Sequence, residues 1–390
     1  MIIKNARIYT SDYSFREGNL VIRNGRIADP GSVPLPGEEI IDGTGLYALP
    51  GLVDIHFHGA AGHDFCDGDA KGLQAIAEYE ARHGVLAICP ATMTMPEETL
   101  SAAMDNAAAF RYSQERRNAG GSNASESPAA DLVGIHLEGP FISPKKPGAQ
   151  DPLYVLPADE AMFRRLQARS GGLIKICDVA PEEPGNLDFI REMQDRVRIS
   201  LAHTCTDYET ASEAFLLGVK QLTHLYNAMP GISHRAPGPV IAALEQGADV
   251  ELIADGVHIH PAMVRFTFRT FGPEHVILIS DSMEAAGLSD GEYELGGLSV
   301  TVSERRAVLN AHPDTIAGSV TNLYDCMRTA VSEMGIPLEW AVRAASENPA
   351  RAIGIYPDYG TLQPGAFGNV ILAKEDLTPV MILNKGQRIL

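Results

Sequence analysis

Apolar residues in the middle of the chain form short runs that alternate with stretches of helical spacing. The runs are ALPGLVDIHFHG, GVLAICPATMT, LVGIHLEGPF, LIKICDVAPE, VRISLAHT, VKQLTHLYNA, VELIADGVHI and HVILISDSM, and each is typical of a buried strand. Between them lie segments such as DAKGLQAIAEYEARHG and TDYETASEAFLLG, which predict amphipathic helices. Strand–helix units repeated across residues 49–359 predict an α/β fold of the (β/α)8 TIM-barrel type, with a doubly wound open sheet as the alternative.

The two ends of the chain have a different pattern, in which apolar and polar residues alternate around glycine-containing turns. Residues 1–48 include IIKNARIYT and GNLVIRNGRIAD, and residues 360–390 include GNVILAKEDLTPVMILNKG. Alternation of period two around such turns predicts short antiparallel strands. We therefore expect both ends to combine into one small β-sandwich domain. The Ser-, Ala- and Gly-rich residues 120–130 predict a surface loop.

Charge and cysteine content limit the class of function. The chain has 390 residues and a formal net charge of -19, so binding to nucleic acid or to an anionic membrane would meet electrostatic repulsion. An anionic substrate would need a local positive site. Five cysteines without pair spacing suit a reducing compartment. The N-terminus has no apolar signal core and no apolar run could span a bilayer, so we expect a cytoplasmic protein.

Residues that commonly bind metal ions recur where the predicted strands end. They are His56 and His58 on the first strand, Glu138 on the third, His203 on the fifth, His224 on the sixth and Asp281 on the eighth. Taken singly, a histidine at a strand end is more often a structural residue. The alternative for Asp281 is that it only caps a helix. Together they favour one metal site, because the carboxyl ends of barrel strands meet at one face. Imidazole and carboxylate ligands indicate a divalent ion, with Zn²⁺ preferred and Fe²⁺ as the alternative.

Longer motifs connect this pattern with a known family. In chain order they are PGLVDIHFHG, HLEGPF, AHT, THLYNAM, ADGVHI and ISDSM. The chain resembles the amidohydrolase superfamily and, within it, the N-acetylglucosamine-6-phosphate deacetylases, over nearly its whole length. The resemblance implies a metal-dependent hydrolase with a (β/α)8 barrel and a small β domain. Its implied reaction converts N-acetylglucosamine 6-phosphate into glucosamine 6-phosphate and acetate, in amino-sugar catabolism and recycling.

The resemblance also assigns roles to individual residues. Glu138, His203 and His224 match the ligands of the principal ion. His56 and His58 match a second position that shares Glu138, so one or two ions are expected per subunit, and Asp281 matches the catalytic acid/base close to that position. The residues that match substrate contacts are Ala149, Gln150, Asn227, Ala228, Arg235, Asp255, Gly256, His258, Ile316, Ala317 and Gly318.

Two of these matches carry further consequences. In the resembling family, the arginine at the Arg235 position contacts the phosphate across a dimer interface, which implies a homodimer. Many members have histidine where this chain has Gln150. A glutamine amide can donate a hydrogen bond but cannot become a cation. The departure leaves open how the acetyl carbonyl is polarised and which sugar is preferred.

Three other functions stay open at this point. One is an N-acetylgalactosamine-6-phosphate deacetylase. Another is a cyclic-amide hydrolase, in which a carboxylated lysine late on the fourth strand commonly bridges two ions; Lys175 lies several residues before the end of that strand, which favours the deacetylase. The third is a non-enzymatic sugar-phosphate sensor on the same fold, which the intact ligand set and Asp281 disfavour.

The remaining polar residues near these motifs receive less specific interpretations. His136 lies two residues before Glu138 and is interpreted as a hydrogen-bonded residue behind the ligands. His63 and His260 are candidates for the mouth of the site. The Lys145–Lys146 pair is interpreted as a solvated loop, with attraction of a phosphate group as the alternative.

Overall fold

The computed structural model of the protein describes residues 1–118 and 128–390, so most of the loop predicted at 120–130 lies outside the described residues. The chain opens with five strands: β1 (Ile2–Tyr9), β2 (Phe15–Arg23), β3 (Arg26–Ala28), β4 (Ile40–Asp42) and β5 (Tyr47–Pro50). A long alternation of strands and helices follows. It consists of β6 (Leu52–Asp54), β7 (Gly59–Ala60), β8 (His63–Asp64), α1 (Ala70–Arg82), β9 (Val85–Ile88), α2 (Glu97–Asn118), β10 (Asp131–Leu132), β11 (Ile135–Leu137), α3 (Glu160–Arg169), β12 (Ile174–Val179), α4 (Asn186–Met193), β13 (Arg198–Leu201), α5 (Tyr208–Leu216), β14 (Gln221–Leu222), α6 (Gly238–Glu245), β15 (Asp249–Ile253), α7 (Pro261–Phe271) and β16 (Val276–Ile279).

The last part of the chain adds a small sheet, three helices and three strands. These elements are β17 (Gly291–Leu295), β18 (Leu298–Ser303), β19 (Arg306–Leu309), β20 (His312–Ile316), α8 (Leu323–Ser332), α9 (Leu338–Ala345), α10 (Glu347–Ala352), β21 (Val370–Ala373), β22 (Pro379–Asn384) and β23 (Gln387–Arg388). Short 3-10 helices occur at Phe65–Asp67 and Pro152–Tyr154.

The predicted barrel strands are all present and pair in chain order. β6 pairs with β9 and β9 with β10, while β11 to β16 pair one after another, all in parallel. A parallel bridge between Ala91 and His136 joins the two groups. The Asp281 amide donates to the His56 carbonyl over 2.9 Å, which brings the ends of the eighth and first strands together. The strands therefore form a (β/α)8 barrel, and the reversal of strand order that a doubly wound sheet requires does not occur among the described strands.

Helix α1 illustrates how the sequence determines the outer layer. Asp69 precedes it, and its side chain accepts a hydrogen bond from the Gly72 amide, which satisfies one of the free donors of the first turn. Leu73, Ile76 and Ala77 recur at helical spacing and are buried against the barrel. The segment DAKGLQAIAEYEARHG was predicted to be this helix, and that prediction is confirmed.

Strands from both chain ends belong to one hydrogen-bonded sheet, in the order β23–β22–β21–β5–β1–β2–β3, with β4 also pairing with β1. The two ends of this order meet, because the Gly368 amide donates to the Gly25 carbonyl over 2.8 Å and the Gly386 amide donates to the Gly368 carbonyl over 2.9 Å. The sheet thus curls around a buried cluster that includes Ile22 and Leu383. Both chain ends therefore contribute to one small β unit, as expected, and its strands belong to a single curled sheet.

The division into residues 1–48 with 360–390 and residues 49–359 stays a proposal. It places the boundary inside β5, which pairs with β21 along residues Tyr47–Pro50. The segment PGAFGN pairs by backbone with β3, since the Ile27 amide donates to the Ala366 carbonyl.

The four-stranded antiparallel sheet β17–β20 was not predicted from the sequence. Its inner side chains, among them Leu295, Val300 and Leu309, form a cluster with Met93 and Met283 from the barrel loops. This sheet covers one side of the face at which the barrel strands end.

Candidate metal centre and substrate cavity

Glu138, His203 and His224 form one group of potential metal ligands at the carboxyl end of the barrel. They follow β11, β13 and β14 and are almost completely buried. Glu138 Oε1 lies 2.9 Å from His203 Nε2 and 3.1 Å from His224 Nε2. The two Nε2 atoms are 3.1 Å apart. Three ligand atoms thus converge on one point, and they belong to the residues that the resemblance assigns to the principal ion.

His56, His58 and Asp281 form a second group around the other oxygen of the same carboxylate. Glu138 Oε2 lies 3.2 Å from His58 Nε2 and 3.6 Å from His56 Nε2. Asp281 Oδ1 lies 3.4 Å from His58 Nε2 and 3.6 Å from His56 Nε2. Glu138 therefore belongs to both groups, and the strand-end residues singled out from the sequence come together around it.

Three of these residues have backbone conformations that residues other than glycine rarely adopt. His203, His224 and Asp281 have φ angles of 44°, 31° and 50°. Such left-handed conformations cost free energy, about 1–3 kcal/mol each, and persist where the surrounding structure holds them. Here each one turns the chain sharply after a strand, so that the side chain enters the barrel mouth.

The electrostatics of the cluster favour a cation. Burial alone raises the pKa of Glu138, but the charge of His56 and the hydrogen bonds with His203 and His224 lower it well below its usual range. Burial likewise raises the pKa of Asp281, but hydrogen bonding with His58 and the charge of His56 lower it overall. Burial lowers the pKa of His58, but the carboxylates of Asp281 and Glu138, whose oxygens lie 3.4 and 3.2 Å from its Nε2, outweigh this and raise the pKa to about 10. Carboxylates that stay ionised this deep in the protein attract positive charge.

The residues fit a divalent metal ion. His56 Nε2 and Glu138 Oε2 are buried and have no hydrogen-bond partner among the described residues. In each of the triads His56–His58–Glu138 and Glu138–His203–His224, the ligand atoms lie within 4.8 Å of one another. Buried polar atoms without partners are costly, and coordination of an ion would satisfy them.

A cavity of about 380 Å³ opens beside the cluster. The residues predicted to contact substrate that line it are Ala149, Gln150, Asn227, Ala228, His258, Ile316 and Gly318. Met93 and Leu295 supply apolar wall, and Leu295 comes from the small sheet β17–β20. The cavity therefore joins the ion ligands to a mixed polar and apolar surface suited to a small polar molecule.

Four predicted contact residues are not among the described residues that line this cavity. Asp255 is buried behind it, and its Oδ2 lies 2.8 Å from His258 Nδ1, so it orients a residue that does line the cavity. Gly256 is exposed beside that pair, and Ala317 is buried in the cluster under the small sheet. Arg235 is exposed in the loop before α6.

Gln150 has a fixed orientation. Its Oε1 accepts a hydrogen bond from the Thr94 amide over 2.5 Å, and a backbone N–H can only donate. This bond assigns the oxygen to Thr94 and leaves the NH₂ group as the remaining donor of an amide that lines the cavity. The side chain can therefore donate one neutral hydrogen bond to a carbonyl.

The remaining histidines and lysines have the following places. His136 lies behind the ligands, where Nδ1 donates to the Ile55 carbonyl and Nε2 lies 3.0 Å from Asp178 Oδ1, in agreement with its interpretation. His260 is the N-cap of α7, and neither it nor His63 is among the described residues lining the cavity. Lys146 is exposed, as expected of a solvated loop, and it also lines the cavity.

Lys175 does not reach the site. It lies at the start of β12 and lines a separate cleft with Arg111 and Lys385. A carboxylated lysine that bridges two ions from the fourth strand is therefore not formed here, which removes the main structural support for the cyclic-amide alternative.

Sequence reasoning missed the layer of polar residues beneath the ligands. Asp54, Gln221 and Glu251 are buried on barrel strands, and Glu251 Oε2 lies 2.9 Å from His56 Nδ1. The signal was present in VELIA, where Glu251 interrupts an otherwise apolar run. Such a residue needs a buried partner.

Comparison with known proteins gives the family. The model of the amidohydrolase family matches residues 47–389. The chain belongs to this family. Within it, N-acetylglucosamine-6-phosphate deacetylase of Bacillus subtilis (strain 168) is 35% identical over 99% of this chain and 96% of the relative. N-acetylgalactosamine-6-phosphate deacetylase of Escherichia coli O157:H7 is 32% identical over 99% of this chain and 98% of the relative.

A solved structure among this amidohydrolase's relatives has the same fold along the whole chain. It is a mutant N-acetyl-D-glucosamine-6-phosphate deacetylase from Mycobacterium smegmatis in complex with N-acetyl-D-glucosamine-6-phosphate, with a TM-score of 0.89, 30% identity and coverage of 100% of this chain and 99% of that one. The resemblance inferred from the sequence motifs is therefore confirmed. None of the described helices combines the length and apolar character needed to cross a bilayer.

Proposed function

We propose that this amidohydrolase hydrolyses the acetamide of N-acetylglucosamine 6-phosphate, giving glucosamine 6-phosphate and acetate. The observation that carries the proposal is the cluster around Glu138, which opens into a cavity of about 380 Å³ lined by His258, Asn227 and Gln150. Relatives at 31–35% identity over nearly the full length include deacetylases of this substrate.

The ligands suit a divalent ion, for which we propose Zn²⁺, with Fe²⁺ as the alternative, in one or two positions. Glu138, His203 and His224 would hold the principal ion, and His56 and His58 the second. When bound, the metal supplies Lewis acidity, which lowers the pKa of water and polarises a carbonyl.

Asp281 carries the proton transfers in this proposal. Its carboxylate borders both the ligand cluster and the cavity, and its lowered pKa keeps it ionised at neutral pH. It accepts a proton from the attacking water and delivers that proton to the amine nitrogen as the C–N bond breaks. The Gln150 NH₂ group donates to the acetyl oxygen, where negative charge develops.

The phosphate would lie away from the reacting carbon, against Asn227, Ala228 and His258. Burial alone lowers the pKa of His258, but its hydrogen bond to Asp255 and the charge of that carboxylate raise it overall, which shifts the imidazole toward the cationic form. We further propose that Arg235 serves the cavity of a partner subunit in a homodimer. Cytoplasmic location follows from the proposed place in amino-sugar catabolism.

The deciding experiment measures acetate release by protein of defined metal content. We expect the highest kcat/KM on N-acetylglucosamine 6-phosphate, a much lower value on the unphosphorylated sugar, and loss of activity after chelation. No acetate from any of these sugars would contradict the proposal and favour a sugar-phosphate sensor.

A second candidate, N-acetylgalactosamine 6-phosphate, is supported by the 32% identical Escherichia coli O157:H7 relative. Gln150 cannot supply the cationic donor that a histidine would, and this difference leaves the sugar preference open. N-acetylgalactosamine 6-phosphate therefore belongs in the same substrate panel. A higher kcat/KM on the galacto sugar would reassign the substrate and leave the reaction unchanged.

A further inference from the structure

A chain of hydrogen bonds runs from the partly buried Arg198 to the buried residues beneath the ligand cluster, and its direction is fixed at the Arg198 end. Arg198 Nε lies 2.8 Å from Gln221 Oε1. A guanidinium can only donate, so this contact identifies the oxygen of the Gln221 amide without ambiguity. The Gln221 NH₂ group therefore points the other way, and it donates to Glu251 Oε1 over 2.6 Å.

Glu251 then accepts at both of its oxygens. Oε1 accepts from Gln221, while Oε2 lies 2.9 Å from His56 Nδ1 and accepts from the His224 amide over 3.3 Å. A carboxylate oxygen facing an imidazole nitrogen requires the hydrogen to be on that nitrogen. His56 Nδ1 is thus the protonated nitrogen.

The consequence concerns the other nitrogen of the same ring. A histidine that binds a metal through Nε2 needs its lone pair there, and a proton held on Nδ1 supplies that tautomer. His56 Nε2 is buried without a hydrogen-bond partner among the described residues and lies 3.6 Å from both Glu138 Oε2 and Asp281 Oδ1.

We propose that Glu251, oriented by Gln221 and Arg198, is a positioning residue that fixes the His56 tautomer and so selectively supports the ion held by His56 and His58. The inference rests on the proposed metal site and is independent of which sugar is hydrolysed. Glu251 is not itself a ligand, because both of its oxygens are already used by donors.

The triad His56–His136–Glu251, whose atoms also lie close together, is not a third ion position. His136 Nδ1 is 3.0 Å from the Ile55 carbonyl, which holds its proton, and 3.7 Å from Glu251 Oε1. Its Nε2 faces Asp178. Every nitrogen that an ion would need is therefore engaged in a hydrogen bond or belongs to the cluster above.

The first variant to test is Glu251→Gln, which preserves shape but has one accepting oxygen instead of two. Its NH₂ group must face either the NH₂ of Gln221 or His56 Nδ1. The first arrangement opposes two donors, and the second moves the proton of His56 to Nε2, where it blocks coordination. Titration of metal-free protein with Zn²⁺ should show about 10–100-fold weaker binding at one position, the usual effect of losing such a contact.

The exchange Glu251→Gln with Gln221→Glu tests the direction of the chain itself. The new amide at position 251 would then accept from His56 and donate to the new carboxylate at position 221, which would also accept from Arg198. We expect the double variant to recover most of the lost Zn²⁺ affinity, which a purely structural defect would not do. The matched control is Glu80→Gln, which changes a buried carboxyl group elsewhere in the protein, on helix α1. This variant should leave the Zn²⁺ affinities of both ion positions unchanged.

The outcomes distinguish this inference from the proposed function. Loss of the same ion in Glu251→Gln and in His56→Ala, with rescue by the exchange, supports it. Equal weakening of Zn²⁺ binding at both positions overturns it. It is also overturned if the double variant recovers no Zn²⁺ affinity although it unfolds like the single variant. Unchanged acetate release with unchanged Zn²⁺ affinity in Glu251→Gln would overturn it and leave the deacetylase proposal standing. If the original protein binds metal normally but releases no acetate, and the variants show the expected loss and rescue of Zn²⁺ affinity, the deacetylase proposal fails and the inference about Glu251 stands.

Discussion

Both groups of ligand atoms depend on Glu138, because its two oxygens face different histidines. Oε1 lies 2.9 Å from His203 Nε2, and Oε2 lies 3.2 Å from His58 Nε2. We therefore predict that Glu138→Ala loses most of its bound metal at both positions. Elemental analysis of the purified variant measures this, with circular dichroism as the check on folding. A folded variant with full metal content would show that the carboxylate is not a ligand.

At the neighbouring Asp281, we predict a loss of turnover through the proton-transfer step. Asp281→Asn preserves size but cannot accept a proton from water, so turnover should fall by at least the ~10²-fold typical of losing a general acid/base. The ratio of kcat/KM values on phosphorylated and unphosphorylated sugar should not change, since both lose the same step. Steady-state kinetics on the two sugars gives this ratio, and near-normal turnover would remove Asp281 from the mechanism.

Single residues also show what the sequence could and could not predict about the site. The six ligand-type residues were predictable, because each follows an apolar strand and parallel barrel strands end at one face. The hydrogen bonds by which Glu251 and Gln221 support these residues could not be predicted. The partner of a buried polar residue depends on distances between strands that are far apart in sequence. The role of Lys146 stayed open for the same reason, because the sequence of a loop does not show whether its lysine faces a cavity.

Among the elements, the barrel strands and helices were the most predictable part of the fold. The segment TDYETASEAFLLG, for example, contains helix α5, which Asp207 caps by accepting from the Thr210 amide. The sheet β17–β20 was missed because it packs only one side against the barrel loops, through residues such as Val300, and its other side is exposed. Its strands therefore lack the continuous apolar runs by which buried barrel strands were identified.

Helix α1 carries a buried carboxyl whose effect is on stability. Both oxygens of Glu80 are buried without a partner among the described residues, and burial, with the nearby charge of Asp54, raises the pKa of Glu80 well above its usual value. In the unfolded chain the group ionises above about 4.5, whereas the folded protein keeps it protonated. The unfolded state then binds fewer protons, so Glu80 makes stability fall as the pH rises.

We predict that Glu80→Gln removes this dependence. Its free energy of unfolding should equal that of the original protein near pH ~4.5 and exceed it increasingly toward neutral pH, by about 1–3 kcal/mol. Urea denaturation at several pH values, on protein saturated with metal, measures the difference. Glu78→Gln on the same helix is the control, because the Glu78 carboxylate is only partly buried and has partners in Gln74 and Arg82. A difference independent of pH would refute the argument.

On the scale of the whole molecule, the difficulty is to bind an anion with a chain of net charge -19. Within one subunit, the basic side chains that line the cavity are Lys146 and the histidines, as far as the described residues show. Arg235 is exposed in a segment, residues 231–236, that is exposed throughout and includes the apolar Ile232. An exposed arginine beside exposed apolar surface suits an interface better than a site within its own chain.

A mixed dimer tests whether Arg235 acts in the partner's cavity. We predict that Arg235→Ala alone raises KM for the phosphorylated sugar and collapses the preference over the unphosphorylated one. In a heterodimer of Arg235→Ala and Asp281→Asn subunits, the first subunit keeps Asp281 and receives Arg235 from its partner. One cavity of the two is then complete, so dimers purified through two different tags should recover about half of the original turnover with the original KM. If Arg235 served its own chain, neither cavity would be complete and the heterodimer would stay impaired. Sedimentation that shows a fully active monomer would likewise exclude the shared cavity, because an isolated subunit could not borrow the residue.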